Sequence, residues 1–535
     1  MKTTSWKSRL SMPMITLLVS GLMTLGLPGL GVAGTGGLRP LNAVPVPLPP
    51  TTTLNRFIRD VPAAIQLGKA LFWDMRVGGD GIQACASCHF QAGADIRSVN
   101  AINPGKNGIF ETALPGDALV QANFPVTNGD VVGSSGTTDG NFLGLSTPIT
   151  AVDPSMQITD GLFGTFRQVT DRNAPSAVNA IYNYRSFWDG RANRIFNGVN
   201  PSGPAANNDN IHVYQVISGV PVWVNVAIPN ASAASQAVGP ANSPVEMCFA
   251  GRNFWELGRK MMALKPLGKQ FVDPTDSVLG PLSNGVGKTG LNKSYKQMIK
   301  AAFRPMWWNT TTTVANGFTV MEANFSLYWG LSVMLYESTL VSDETPLDKF
   351  LAGTGTLTAS QQLGMNVFIG NGRCNKCHSG AELTLAAVSQ AGGDPLKGFF
   401  NTAVRPIAED GGDILQPGKG FFKTPGLRNV ELNGPYFHNG SAATLRQVVE
   451  YYDRGGDFPS QFTDANIRRL VLTEAEKAGL VDFMLAMTDE RVRFEKAPFD
   501  HPSITLPHGR KLPAVGAAGK VAPLQPFLNL DQHAQ

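Results

Sequence analysis

The chain has 535 residues, more than one hydrophobic core usually serves, and its 43% hydrophobic content is enough to fill two. Charged residues make up only 16% and the formal charge is +4, which excludes a charge-laced solenoid and points away from nucleic acid as a partner. Gly (58) and Pro (37) are plentiful, so long irregular loops are expected around compact helical parts.

In chain order, Lys2, Lys7 and Arg9 precede an apolar run over 12–30 that ends in the small residues Val32, Ala33 and Gly34. This predicts a cleaved export signal over 1–34 and a periplasmic or otherwise exported mature chain. Gly21, Gly26, Pro28, Gly29 and Gly31 interrupt the run, which argues against a membrane anchor, and no later stretch is apolar enough to span a bilayer. Losing the three basic residues lowers the formal charge from +4 to +1. Residues 35–55, with their Pro-rich 39–50 segment, read as an extended linker.

A helix is expected over 63–73, with Ile65, Leu67, Leu71 and Phe72 on one side. It leads into Cys85-Ala-Ser-Cys88-His89. Residues 100–159 and 200–243, rich in Gly, Asn, Ser and Pro, read as long loops or short strands. Cys248 is expected to be a small buried hydrophobe. A long apolar helix starts at Phe325 and runs toward Leu340, and residues 343–351 connect to a helix opened by Thr358 that carries Leu363, Val367 and Phe368. That helix leads into Cys374-Asn-Lys-Cys377-His378. Leu445, Val448, Val449 and Tyr452 then recur at helical spacing, and Thr473 with Glu476 forms a capping box before Leu480, Phe483, Met484 and Met487.

Five cysteines in an exported chain would ordinarily indicate disulfides, yet four fall into two copies of C-x-x-C-H. Two thiols at this spacing can form thioethers to the two vinyl groups of one haem, while the adjacent His reaches the iron. The expected fold is therefore mainly α: two c-type cytochrome domains, over 56–340 and 341–510, each around one covalently bound haem, with long loop insertions and a tail over 511–535. Cys85, Cys88, Cys374 and Cys377 attach the two haems, and His89 and His378 ligate their irons.

Further strings resemble the bacterial dihaem cytochrome c peroxidases and their MauG-type relatives. They are Leu-Gly-Lys-Ala-Leu-Phe-Trp at 67–73, Arg-Asn-Ala-Pro-Ser at 172–176, Phe-Trp-Asp-Gly-Arg-Ala at 187–192, Ser-Pro-Val-Glu-Met at 243–247, Thr-Leu-Val-Ser-Asp at 339–343, Lys-Thr-Pro-Gly-Leu-Arg-Asn at 423–429 and Gly-Pro-Tyr-Phe-His-Asn-Gly at 434–440. The resemblance covers most of the chain. It implies that hydrogen peroxide reacts at the N-terminal haem and that the C-terminal haem stores and relays electrons. Trp188 matches the aromatic between the haems, and Glu246 matches the acid above the reacting iron, where a carboxyl can move a proton from one peroxide oxygen to the other. His438 matches a His near the second haem.

For the sixth ligands, no His lies between His89 and His212, so the first iron is expected to rest open unless His212 substitutes. At the second iron the MauG-type enzymes carry Tyr, and that position reads Tyr452; Met484 or Met487 is the alternative. Tyrosinate is a hard anionic ligand that lowers the iron potential. The resemblance also implies a Ca²⁺ held through Asn173, Asn433 and Pro435, where Asn433 replaces the usual Thr.

Three functions are compatible with these residues. The first is a dihaem peroxidase fed by a small cytochrome, a cupredoxin or a protein substrate, the last in MauG style. The second is an oxygenase acting on a bulky organic molecule, and the third is an electron carrier with both irons six-coordinate. A homodimer is common in the family.

Overall fold

The computed structural model describes residues 35–204 and 212–535. The expected signal segment 1–34 lies outside the described residues, as do 205–211 within the second insertion. Residues 36–535 form one body.

Five helices position the rest of that body: α1 (Val61–Trp73), α2 (Phe325–Glu337), α3 (Ala359–Ile369), α4 (Leu445–Arg454) and α5 (Glu474–Leu485). Their starts follow local chemistry. The Asp60 carboxylate accepts from the amide of Ala63 at 2.8 Å. Thr358 and Thr473 each accept from the third helical residue, Gln361 or Glu476, whose side chain reaches back to the cap. All 13 residues of α2 are buried, as its mostly apolar sequence favours.

The helices form two similarly built pairs. In α1 on α2, a Cβ at Gly68 would collide with the carbonyl oxygen of Ser332; in α3 on α5, a Cβ at Gly364 would collide with that of Gly479. The rings of Phe72 and Tyr336 meet edge-on with centroids 5.5 Å apart, and those of Phe368 and Phe483 do so at 5.3 Å. By this correspondence Ser332 matches Gly479 and Tyr336 matches Phe483, so Glu337 matches Met484. Helix-interior Gly→Ala normally stabilises by up to about 1 kcal/mol. At Gly364 the collision reverses the sign: Gly364→Ala is expected to cost about 1–3 kcal/mol. Thermal unfolding measures this, and an unchanged midpoint would mean that the two helices do not need this close approach.

A second repeat joins the pairs. Asn179 and Asn429 both take positive φ (61° and 60°), each followed by a 3-10 turn, Ala180–Tyr182 or Val430–Leu432. Phe187 and Phe437 then take φ of 64° and 69°, inside bridges Ser186↔Ala192 and Tyr436↔Ala442. Every pair has the same offset, 429 minus 179. Asn tolerates this region, whereas a Phe there is strained and persists only where its surroundings hold it. The Asn179 side chain accepts from Ser342 N beyond α2, and the Asn429 side chain from Asp489 N beyond α5, both at 2.9 Å.

Where the expectation was a mainly α chain, the fold is mixed, 29% helical and 12% strand. The difference lies in the Gly- and Pro-rich stretches, which pair into two-stranded antiparallel ribbons where they cannot propagate a helix. Two ribbons fall in the first insertion, Ile102–Asn103 with Val131–Val132 and Gly140–Phe142 with Ser155–Gln157. The second insertion forms the hairpin Val213–Ile217 with Val220–Val224 and a short helix, Ser232–Ala237. Leu363, expected inside, is 37% exposed, because α3 buries the face of Gly364, Val367 and Phe368. After α5 the chain returns to the first core through Val492, Phe499, Ile504 and Leu506. Ile504–Thr505 pairs with Lys511–Leu512, so a cut at 510 divides a ribbon.

Candidate active site

Each C-x-x-C-H motif forms a 3-10 turn, Cys85–Ser87 or Cys374–Lys376, that follows one of the helix pairs' first members. Cys85, Cys88 and His89 are half-buried although Ala84, Ala86, Ser87 and Phe90 around them are buried. They are open because they face an internal cavity of about 600 Å³. Its wall also contains Glu246, Trp188, Asn173, Asn433 and Pro435, and it reaches Lys423 and Phe437 in the second repeat.

Both motif histidines are held in one tautomer. His89 Nδ1 lies 2.8 Å from the carbonyl oxygen of Gly93, and His378 Nδ1 lies 3.2 Å from that of Leu383. A carbonyl can only accept, so Nδ1 carries the proton and Nε2 keeps its lone pair. Burial favours the neutral imidazole at both, taking His378 down to about 4. Burial also pushes Cys88, Cys374 and Cys377 up to about 12, and Cys85 in the same direction. These thiols are protonated and free, so neither pair has the low-pKa thiolate of a disulfide-exchange site. Cys248 is fully buried, as expected.

Glu246 sits at a turn where its amide donates to Ser243 Oγ at 3.2 Å. Thr137, from the first insertion, donates its amide to the Val245 carbonyl at 3.0 Å and so braces this turn. Burial raises the Glu246 carboxyl above its ordinary 4.5, against weaker lowering from Ser243 and Arg191. Trp188 is 9% exposed; its Nε1 donates to the Asn173 carbonyl at 2.8 Å, and its own carbonyl accepts from the Lys423 amide at 2.8 Å. The indole is thus locked between the two repeats, edge-on to His438 at 6.3 Å. The buried His438 ring stacks on Phe422 at 3.7 Å, and its Nε2 has no hydrogen-bond partner among the described residues.

Tyr451 and Tyr452 are adjacent on α4 but differ in use. The Tyr451 hydroxyl donates to the Thr402 carbonyl. Among the described residues nothing bonds the Tyr452 hydroxyl, whose pKa is raised by burial and then by Cys377 and Cys374. The ring therefore stands near the second motif. Met484 and Met487 are buried in the second core. His212 stacks on Trp223 at 4.2 Å beside the hairpin and is absent from the cavity wall.

Several lining residues were not anticipated. Gln236 and Arg191 line the cavity together with Glu246. Lys423 is buried, is lowered by burial to about 8 and has no carboxylate partner among the described residues. Glu337 is also in the wall. Lys423 and Arg191 lie inside the strings that carried the family resemblance, so that signal was present; Gln236 and Glu337 had none beyond their position.

The di-haem cytochrome c peroxidase family model matches residues 62–356, more than half of the sequence. The chain belongs to the di-haem cytochrome c peroxidase family. Among similar proteins is cytochrome-c peroxidase IdrP1 of Denitromonas iodatirespirans, 34% identical over 199 residues, 32% of this chain and 53% of that one. Cytochrome c peroxidase Ccp of Escherichia coli (strain K12) is 26% identical over 299 residues, covering 55% and 45%. Methylamine utilization protein MauG of Methylorubrum extorquens is 29% identical over 181 residues, covering 32% and 44%. The chain spans about half the length of the relatives it matches. A crystallised MauG-like protein associated with microbial copper homeostasis aligns over 85% of this chain and 96% of its own at 20% identity, with a TM-score of 0.49. The di-haem family implies haem c as cofactor.

Proposed function

We propose that this family member is an exported dihaem peroxidase that reduces hydrogen peroxide at the haem held by Cys85, Cys88 and His89. In this reading electrons reach it from a second haem held by Cys374, Cys377 and His378. The observation that carries the reading is the cavity whose wall joins the first motif, Glu246 and Trp188 to residues of the second repeat.

The residues present fit two haems c. Each motif supplies two protonated thiols and one imidazole with a free Nε2. The buried Lys423 ammonium calls for an anion, which a haem propionate would provide. The unbonded Tyr452 hydroxyl, which feels Cys377 and Cys374, supports the reading that Tyr452 would be the second haem's other ligand. Ca²⁺ would be held by Asn173, Asn433 and Pro435, which share the wall; Asn433 Oδ1 is buried with no hydrogen-bond partner among the described residues. Among those residues no cluster of three His, Cys, Asp or Glu offers a different metal site.

When bound, haem would supply redox-active iron and the electrons for peroxide reduction. Glu246 accepts a proton at a carboxylate oxygen from the peroxide and returns it to the departing oxygen. Trp188 gives an aromatic bridge between the repeats, held in place by Asn173 and Lys423. The electron donor is a small redox protein or a protein substrate, and Tyr452 favours the MauG-type use of the same parts. Among the described residues no helix is long and apolar enough to cross a membrane. In this reading export rests on the segment 1–34, and a homodimer is taken from the family resemblance.

The test is the absorption and electron paramagnetic resonance spectra of the purified diferric protein, before and after one equivalent of peroxide. One high-spin and one low-spin haem, both ferric signals being lost on addition, is the expected result. Two low-spin haems indifferent to peroxide, even after half-reduction, would leave an electron carrier.

A further inference from the structure

We propose that Glu337 is the proton-coupling residue of the N-terminal haem: its carboxylate takes up one proton from solvent as that haem accepts one electron, and gives it back on reoxidation. This rests on the reading that Cys85, Cys88 and His89 hold a haem. The electron comes from a one-electron donor, a small redox protein in the cell or a chemical mediator in the test. The haem is reduced by one electron while the carboxylate becomes a carboxylic acid, so the pocket gains no net charge.

Glu337 ends the otherwise apolar α2, is 4% exposed and lines the cavity that the first motif faces. Among the described residues nothing donates a hydrogen bond to its carboxyl and no cation pairs with it. Of the charged and titratable groups near it or on the same wall, most are committed elsewhere or are themselves acids; Lys423, which has no carboxylate partner among the described residues, has no part in the Glu337 shift, which burial alone causes. Cys85 lies near enough for its thiol to be raised by Glu337, after burial. Tyr336, on the same helix, accepts from Trp73 Nε1 at 3.1 Å. Lys69 on α1 is tied to Asp276 and Asp500. Across the cavity, Arg428 is paired with Asp348, Glu382 accepts from Ser389 Oγ at 2.5 Å, and Tyr182 feels Asp343 and Glu382.

A carboxyl so placed has no fixed cation to balance it, and burial alone lifts it to about 8. The charge beside it that changes with an electron is the haem's, and the other acid near Cys85, Glu246, is stabilised in its ionised form by Ser243 and Arg191 as Glu337 is by nothing. Electron addition and carboxyl ionisation both add negative charge to the same low-dielectric space, so each opposes the other and the proton follows the electron. The second repeat supplies the contrast, because the matching position on α5 is Met484. The fold accepts an apolar side chain there, so packing does not account for an acid at Glu337.

The experiment is spectroelectrochemical titration of the dihaem holoprotein from pH 5 to 10, for wild type, Glu337→Met, Glu337→Gln and Glu382→Gln. Pyridine haemochrome absorbance first establishes two haems per chain. A protein lacking a haem at Cys85 and Cys88 refutes the dihaem reading itself and is thereby distinguished from failure of the present proposal. In wild type, one haem wave is expected to fall with pH, approaching about 59 mV per tenfold drop in proton concentration, while the other stays level. Both Glu337 variants should level that wave, and Glu382→Gln should leave it sloping. Equal slopes in wild type and the Glu337 variants, level waves in wild type, or loss of the slope only in Glu382→Gln would each overturn the proposal.

Discussion

Glu246→Gln is expected to slow the reaction of the diferric protein with hydrogen peroxide by about 10²–10⁴-fold, the usual worth of a positioned acid–base group, with both haems and the fold retained. Glutamine keeps the shape and the amide–Ser243 bond, which is made by the backbone, but cannot exchange a proton. Burial raises the Glu246 carboxyl, so the ionised form that accepts the peroxide proton is lost on acidification at a pH above the ordinary 4.5. The wild-type rate should therefore fall on the acid side through that higher pKa, and the limb should vanish in Glu246→Gln. Stopped-flow mixing at a series of pH values measures both. A variant within threefold of wild type, with the limb intact, would remove Glu246 from the chemistry.

Lys69→Met is expected to destabilise the protein by about 3–5 kcal/mol, the cost of stranding buried charge. Lys69 Nζ lies 2.8 Å from Asp276 and 3.5 Å from Asp500, and all three side chains are fully buried. Asp276 also caps the amides of Val278 and Leu279, while Asp500 accepts from Ser277 N and Oγ. Methionine fills the space but leaves both carboxyls without a cation. The cluster ties α1 to the chain that returns after α5, so the loss should appear as a lower global unfolding midpoint. Denaturant unfolding of the variant is the check, and a change under 1 kcal/mol would mean that the two carboxyls share a proton in the native state.

The two C-x-x-C-H motifs were fully legible in the sequence, because each is local and its geometry is set within one turn. The helices were legible for the same reason: the Thr358 and Thr473 caps act over three residues, and the apolar spacing of α1, α2 and α5 repeats along one chain segment. Leu363 was misplaced because spacing gives a face but not its partner, and α5 covers a neighbouring face. The short strands of the insertions were one of two readings, but their pairing was unreadable, since residues such as Gly140 and Gln157 pair across a distance that their composition does not encode.

By itself, then, the sequence determined the cofactor chemistry, the helix ends and, through short strings, the resemblance to its family. Only the tertiary structure decided which of those strings meet. It brought the Phe187 and Phe437 loops together around one cavity, locked Trp188 between them and left Lys423 and Glu337 in the wall with no oppositely charged partner among the described residues. The physical reason is that a motif's internal geometry is fixed by covalent neighbours a few residues apart. The value of a buried charge depends instead on every group that folding places beside it, and those groups come from all along the chain.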